Sequence, residues 1–298
     1  MDNRIFKKYK KDHVIWGYLF ILPTAIGLIT LNIWPAIQTF ILSFQKSAGF
    51  GKTTWVGLTN YQNLMTDKEV LQSLLNTFIY AAVSIPLIVV LSLVVAVLMN
   101  QKVKGISIYR TLYFLPVVAA PSAVAMIWRW MFNSEFGLIN NLLSKIGLTG
   151  PAWLSDPDIA IYSVIIVGVW SAIGYNMVLL IAGLQEIPRD YYEAADIDGA
   201  SAWNQFKNIT LPLVTPTLFF VVVTTVIGAF QVFDVIFMMI APSSEAMYNT
   251  QSLAYLFYKY SFILNDKGYG SAIVMLLLLI ILIITFVQMK LQKRWVNY

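Results

Sequence analysis

Gln185-Glu186-Ile187-Pro188-Arg189-Asp190-Tyr191-Tyr192-Glu193-Ala194-Ala195-Asp196-Ile197-Asp198-Gly199 is followed, after nine residues, by Ile209-Thr210-Leu211-Pro212. The stretch holds Glu186, Asp190, Glu193, Asp196 and Asp198 against Arg189 and Lys207, too much charge to lie in hydrocarbon. Long apolar segments flank it on both sides, so it reads as a polar loop between two membrane spans. Its local structure follows from the residues. Pro188 breaks the helix before it. Asp190 suits an N-cap, and Glu193, three residues on, completes a capping-box pattern. Tyr191 to Asp198 then makes about two helical turns, and Gly199 ends them in a left-handed conformation at little steric cost. A second short helix is predicted from Ser201 through Trp203 and Phe206, with its rings at the membrane interface. Ile209 and Leu211 re-enter the apolar phase, and Pro212 fits the first turn of the next helix. A helix of about eight residues does not hold its shape alone. It is therefore expected to rest on the bilayer surface or on a partner, unless the loop is an ordinary amphipathic connector.

The surrounding chain fits this reading. Of 298 residues, 58% are hydrophobic and 12% charged, about half the charge of an ordinary soluble domain. The mean hydropathy is +0.70. A backbone crossing hydrocarbon must satisfy its own hydrogen bonds, which an apolar helix of about 20 residues does. Six runs qualify: Ile15–Ile37, Asn76–Met99, Ile108–Trp130 with Pro116 and Pro121 inside it, Ile159–Leu184, Thr215–Ile240 and Ser271–Met289. The fold class is thus all-α, an integral membrane bundle of six helices with a helix-bearing polar loop. Residues 1–12 form a basic tail, 13–290 one membrane domain including the loop 185–212, and 291–298 a second tail. The lysine cluster ahead of the first span lacks a small-residue cleavage site in the right place, so that span is expected to be retained. Three outer segments, Ser47–Ser73, Asn133–Pro157 and Pro242–Gly270, are too short for separate domains of ordinary size.

Lysine and arginine set the orientation. With the N-terminus inside, thirteen of the 20 basic residues fall on the inner side: Arg4, Lys7, Lys8, Lys10, Lys11, Lys102, Lys104, Arg110, Arg189, Lys207, Lys290, Lys293 and Arg294. That bias places both termini in the cytoplasm and explains the net charge of +5 without nucleic acid. Cysteine is absent and His13 is the only histidine, an interfacial residue in this reading. A His-rich zinc site cannot be built from one histidine, and no metal or cofactor is expected. Gly51-Lys52-Thr53 mimics the end of a phosphate-binding loop, but the required earlier glycine position is Lys46.

The loop resembles the EAA loop of permease subunits in ATP-binding-cassette importers: Glu-Ala-Ala, three residues, Gly, nine residues, then Ile-x-Leu-Pro. Every position is met, with Asp198-Gly199-Ala200 and Phe206 as in the carbohydrate branch. Further stretches are similar to the maltose/lactose/glycerol-3-phosphate class. They are Val56-Gly57-Leu58-Thr59-Asn60-Tyr61, Arg110-Thr111-Leu112-Tyr113-Phe114-Leu115-Pro116, Gly183-Leu184-Gln185-Glu186-Ile187-Pro188 and Phe233-Asp234. The combination favours the first-type, maltose-F-like member of a permease pair. One departure is Ala241-Pro242-Ser243-Ser244, where that class often has a Gly-Gly-Pro turn. The resemblance implies a permease that moves a carbohydrate or related polyol inward by alternating access. Its implied partners are a second homologous permease, a cytoplasmic ATPase dimer and an extracytoplasmic solute-binding protein, with the bilayer around it. ATP hydrolysis would lie on the separate subunit. Glu193, Ala194, Ala195, Asp198 and Gly199 would dock the ATPase as a coupling helix, and Ile209, Leu211 and Pro212 would fix it to the fifth span.

For the solute, Asp234 is the one carboxylate expected inside a span, where charge is costly and should face a partner helix or a watery path. With Gln231 it is either a lining residue of the route or a hydrogen-bonding group between helices. Asn176, Tyr175 and Trp170 are candidates for the same route, with helix packing as the alternative. An ion-coupled secondary transporter competes as a function. It calls for repeated halves and several intramembrane charges, and neither is visible. A membrane-embedded enzyme would need paired acids or histidine clusters on one side, and the acids of the inner loop are accounted for by the coupling pattern.

Overall fold

The computed structural model describes residues 3–47, 53–101 and 103–295, with side chains described from 16 to 293 among these. The basic tail side chains, His13, Gly51, Lys52, Lys102 and Arg294 lie outside the described side chains. The chain starts with α1 (Asn3–Leu28), a wide turn at 29–33 and α2 (Trp34–Leu42). Together Trp16–Leu42 forms a span with none of its most apolar window buried in the chain's own core. A two-stranded hairpin follows, β1 (Gln45–Ser47) against β2 (Thr53–Trp55), antiparallel with Gln45 opposite Trp55. The Asn60 amide on α3 (Thr59–Thr66) ties it down by donating to the Ser43 and Gln45 carbonyls, both at 2.9 Å.

α4 (Lys68–Met99) and α8 (Ala160–Gln185) pack along their length as the spine of the bundle. The Asp67 carboxylate caps α4 by accepting the Glu69 N–H at 2.8 Å. Ser73, Thr77, Ala81, Ser84, Ile88, Ser92 and Ala96 are buried at three- and four-residue spacing along α4, which puts small side chains on one face. At Gly174 of α8 a side chain would fall on the Tyr113 carbonyl oxygen, so α5 (Ile106–Val118) meets α8 backbone to backbone.

Two expectations need correction. The third span is not a single kinked helix: α5 and α6 (Pro121–Met131) meet at 101°. Ala120 is extended, with ψ of 133°, because a residue before proline is pushed out of the helical region, and Ala119 ahead of it is extended as well, with ψ of 142°. The next elements are α7 (Leu138–Lys145), α8, α9 (Asp190–Ile197), α10 (Ala202–Gln205) and α11 (Leu211–Leu213), with a wide turn at 206–210 between the last two. The fifth span is also divided. α12 (Thr215–Phe230) is bent 67° from the helix before it, and the chain breaks again at 231–233 before α13 (Asp234–Met239). The hydroxyl of Ser252 donates to the Val232 carbonyl at 2.5 Å, so the freed backbone group has a partner in the apolar interior. Asp234 consequently opens a short helix and is not inside a continuous span.

Residues 242–270, expected as an outer loop, are largely helical and partly buried. They fold back into the bundle as a short turn (Glu245–Met247), α14 (Leu253–Tyr258) and a wide turn at 259–263, before α15 (Lys267–Trp295). Thr250, Gln251, Ser252, Leu253 and Leu256 are all buried. Their backbone is held by α4: the Asn76 amide donates to the carbonyls of Tyr248 at 2.9 Å and Gln251 at 3.1 Å. Thr77 Oγ1 accepts the Leu253 N–H at 3.0 Å. Among the described residues, four single helices are long and apolar enough to cross a membrane, or six spans if each bent pair counts as one.

Candidate functional site

Two features stand out, one on the polar loop and one inside the bundle. On the loop, α9 begins one step earlier than the residues suggest. Arg189 is already helical at φ −66° and ψ −27°, and the Glu193 N–H donates to its carbonyl at 3.0 Å. Asp190 therefore sits inside the first turn with no side-chain cap bond, which corrects the capping-box expectation. Asp190 and Glu193 still lie at the helix N-terminus, where negative charge is favourable. The far end is as expected: Gly199 has φ +71°. The Ala200 N–H reaches the Ala195 carbonyl at 2.9 Å, and the Gly199 N–H reaches that of Asp196 at 3.1 Å. Those two bonds make a Schellman stop.

The outward face of α9 presents Glu193, Ala194, Asp198 and Gly199, with Ala195 half-buried. Two further residues belong to it that sequence reading passed over: Tyr191 is exposed, and Ile197 is 87% exposed. The inward face is not carried by bilayer or partner alone. Tyr192 packs on the apolar cluster of Leu184, Ile187, Val214 and Leu218, which Ile209 and Leu211 also join. The Tyr192 and Thr210 hydroxyls are 2.9 Å apart, and the Gln205 amide donates to Asp196 Oδ1 at 2.6 Å. Pro212 lies in α11, one short helix before the fifth span proper, whose own first turn contains Pro216. Trp203 and Phe206 stack at 5.6 Å, with Trp203 exposed as an interface residue should be.

Inside the bundle, a cavity of about 360 Å³ is lined by Tyr175, Asn176, Gln231 and Asp234, together with Tyr80, Thr224, Thr225 and Phe233. Four of the five pathway candidates thus meet at one void. Breaking the helix at 231–233 is what turns Gln231 and Asp234 towards it. Asn176 is buried and lies 3.4 Å from the Thr225 hydroxyl. Trp170 is the exception: it does not line the cavity but stands edge-on to Trp128 at 5.5 Å. The lining mixes an apolar majority with a few hydroxyl, amide and carboxylate groups, as small-molecule sites do.

A polar cluster ties α4 to both ends of α14. Lys259 Nζ and Glu69 form an ion pair at 2.5 Å, and the Gln251 amide donates to the same carboxylate at 3.1 Å. The Tyr260 hydroxyl donates to it at 3.4 Å and is pushed up to about 12, chiefly by burial and then by the charges of Asp67 and Glu69. It therefore stays a donor across physiological pH. These residues gave no signal in the chain, because Glu69 falls in what reads as an outer loop. Among the described residues, no three acidic or histidine side chains gather as a metal site.

A bundle of bent and paired spans around a polar cavity, carrying a stiff helix on an exposed loop, defines a multi-pass membrane permease. Residues 54–297 match the model for binding-protein-dependent transport system inner membrane components, and the chain belongs to that family. It is 35% identical over 291 residues to the trehalose/maltose transport system permease protein MalF of Thermococcus litoralis, covering 97% of this chain and 98% of that one. It is 34% identical over 295 residues to the probable ABC transporter permease protein YesP of Bacillus subtilis, covering 98% and 94%. The glycerol-3-phosphate permease protein UgpA of Pectobacterium atrosepticum is 32% identical over 285 residues, covering 94% and 95%. A permease-like fold is also seen in a bacterial ABC transporter involved in alginate import, with a TM-score of 0.85, 22% identity and 99% and 100% of the two chains covered. The chain is accordingly the permease component of a binding-protein-dependent importer and is not itself catalytic. The ion-coupled alternative is set aside by the family match.

Proposed function

We propose that this chain is the first-type member of a permease pair that moves a carbohydrate or related polyol into the cell, driven by ATP hydrolysis on a separate cytoplasmic ATPase dimer. Both termini and the loop 185–212 face the cytoplasm, and an extracytoplasmic binding protein delivers the solute. The residue ranges 1–12, 13–290 and 291–298 are its tail, permease domain and tail. The observation that carries the reading is α9: a short, capped helix whose far face is exposed while its near face is fixed to the bundle. The outward residues Glu193, Ala194, Ala195, Asp198 and Gly199 dock the ATPase, and Ile209, Leu211 and Pro212 join the helix to the fifth span. In alternating access, closure of the ATPases draws two such helices together and rocks the spans around the cavity. Asp234, Gln231, Asn176 and Tyr175 contribute this chain's half of the solute route, where aromatic faces suit sugar C–H surfaces and amides bridge hydroxyls. Trp170 lies outside that void and packs on Trp128.

The test is uptake of labelled oligosaccharides into proteoliposomes holding this chain, the permease and ATPase encoded beside it, and the cognate binding protein. ATP-dependent accumulation that needs all four components supports the reading. Accumulation driven by a sodium or proton gradient without ATP would overturn it.

A further inference from the structure

We propose that Tyr192 and Thr210 form a clasp that makes the docking helix and the fifth span move as one body. This rests on the reading of α9 as the ATPase-docking element. A turn flanks α9 on each side. The turn 186–189 joins it to α8, and Gly199-Ala200-Ser201 joins it to α10, with Gly199 at φ +71°. A two-turn helix between two turns can swivel under load. A push from below would then be spent on rotating α9 and not on moving the spans.

The apolar packing of Tyr192 and two hydrogen-bonded cross-links oppose that rotation. The outer one, from the Gln205 amide to Asp196, is exposed and bathed in water, which weakens its hold. The inner one joins the Tyr192 and Thr210 hydroxyls at 2.9 Å, with Thr210 buried and Tyr192 half-buried. Thr210 closes the wide turn 206–210, and its carbonyl accepts the Val214 N–H at 3.0 Å, directly before α12. Such wide turns cost helical regularity and tend to mark functional positions. Here the turn swings the Thr210 hydroxyl towards α9. Val214 is a buried member of the cluster containing Leu184, Leu218 and Val221, so force entering at Thr210 passes into both α8 and α12. Tyr192 and Thr210 are positioning residues: neither lines the cavity.

The experiment uses the complete importer in proteoliposomes and compares wild type with Tyr192→Phe, Thr210→Val, Thr210→Ser and the double variant Tyr192→Phe/Thr210→Val. The readout is stimulation of ATP hydrolysis by solute-loaded binding protein, alongside copurification of the ATPase and thermal stability in detergent. Thr210→Val and Tyr192→Phe should each cut stimulated turnover and uptake about fivefold, the ratio set by about 1 kcal/mol for one hydrogen bond. The ATPase should still copurify. Thr210→Ser, which keeps the hydroxyl, should restore coupling, and the double variant should be no worse than either single one. Unchanged coupling in Thr210→Val, or additive losses in the double variant, would overturn the clasp. Loss of assembly in both Thr210→Val and Thr210→Ser would overturn it too, by making the position merely structural. If the wild-type chain brings no ATPase with it, the docking role of α9 fails first, and the clasp has nothing to transmit.

Discussion

Replacing Gly199 isolates the stop of α9, because the structure separates its two costs. Backbone φ at Gly199 is +71°, and an added Cβ would meet nothing within 4 Å. Any penalty for a side chain is therefore conformational and not steric. For an L-residue the left-handed region costs about 1–2 kcal/mol, and asparagine, which tolerates it best, costs least. β-branched residues are outliers there. Proline, with φ fixed near −65° and no N–H, also forfeits the Gly199 bond to the Asp196 carbonyl. The order of uptake should therefore be Gly, Asn, Ala, Val, Pro. Alanine should fall roughly 5- to 30-fold, as about 1–2 kcal/mol implies, and proline should abolish uptake. Membrane level should remain normal throughout, since the residue is exposed and far from the spans' packing. The assay is initial-rate uptake in whole cells, normalised to the amount of chain in the membrane. Alanine and valine as active as glycine, or asparagine as damaging as valine, would refute the left-handed stop as the reason for this glycine.

Other expectations follow from packing and charge. Gly174→Ala should lower stability by about 1–3 kcal/mol, because the methyl group meets the Tyr113 backbone oxygen and overpacking has that typical cost. A drop in detergent melting temperature checks it, with Gly27→Ala, where nothing lies within 4 Å, as the unaffected control. Asp234→Ala should reduce solute uptake at least tenfold while leaving ATPase copurification intact, because Asp234 lines the cavity far from α9. Dose–response uptake alongside pull-down separates the two. Lys259→Met should destabilise by about 1–2 kcal/mol, less than a fully buried pair because both side chains keep some water contact. The double variant Glu69→Gln/Lys259→Met should be less damaging than Lys259→Met alone, read as melting temperatures.

The sequence carried α9 to within one residue at its start, because proline, a helical run and glycine each act locally. The second, fourth and sixth spans were legible for the same reason: uninterrupted apolar length leaves one solution in a bilayer. What escaped was decided at a distance. The break at 231–233 depends on Ser252, twenty residues away, accepting the role of partner to a freed carbonyl. Residues 250–256 are polar enough to read as loop, yet Asn76 and Thr77 supply the bonds that let them be buried. The turn between α5 and α6 had a signal in Pro121, but nothing local distinguishes a kink from a right-angle break. Asp234 was chosen for its charge and does line the cavity, although the reason is the break and not a position within a span. The chemistry of Trp170 suits a sugar route, but chemistry does not say which way a helix face turns. The clasp was invisible because Tyr192 and Thr210 are ordinary residues until the wide turn brings them together.

The central claim is that α9 is where this chain grips an ATPase, and copurification tests it directly. The tagged chain is extracted in mild detergent from its native membrane, as wild type and with Glu193→Lys and Gly199→Pro. An ATPase and a second permease recovered with the wild type, and the ATPase lost with both variants while the permease stays, is the predicted result. An ATPase retained equally by all three chains would contradict the assignment of the docking surface to α9.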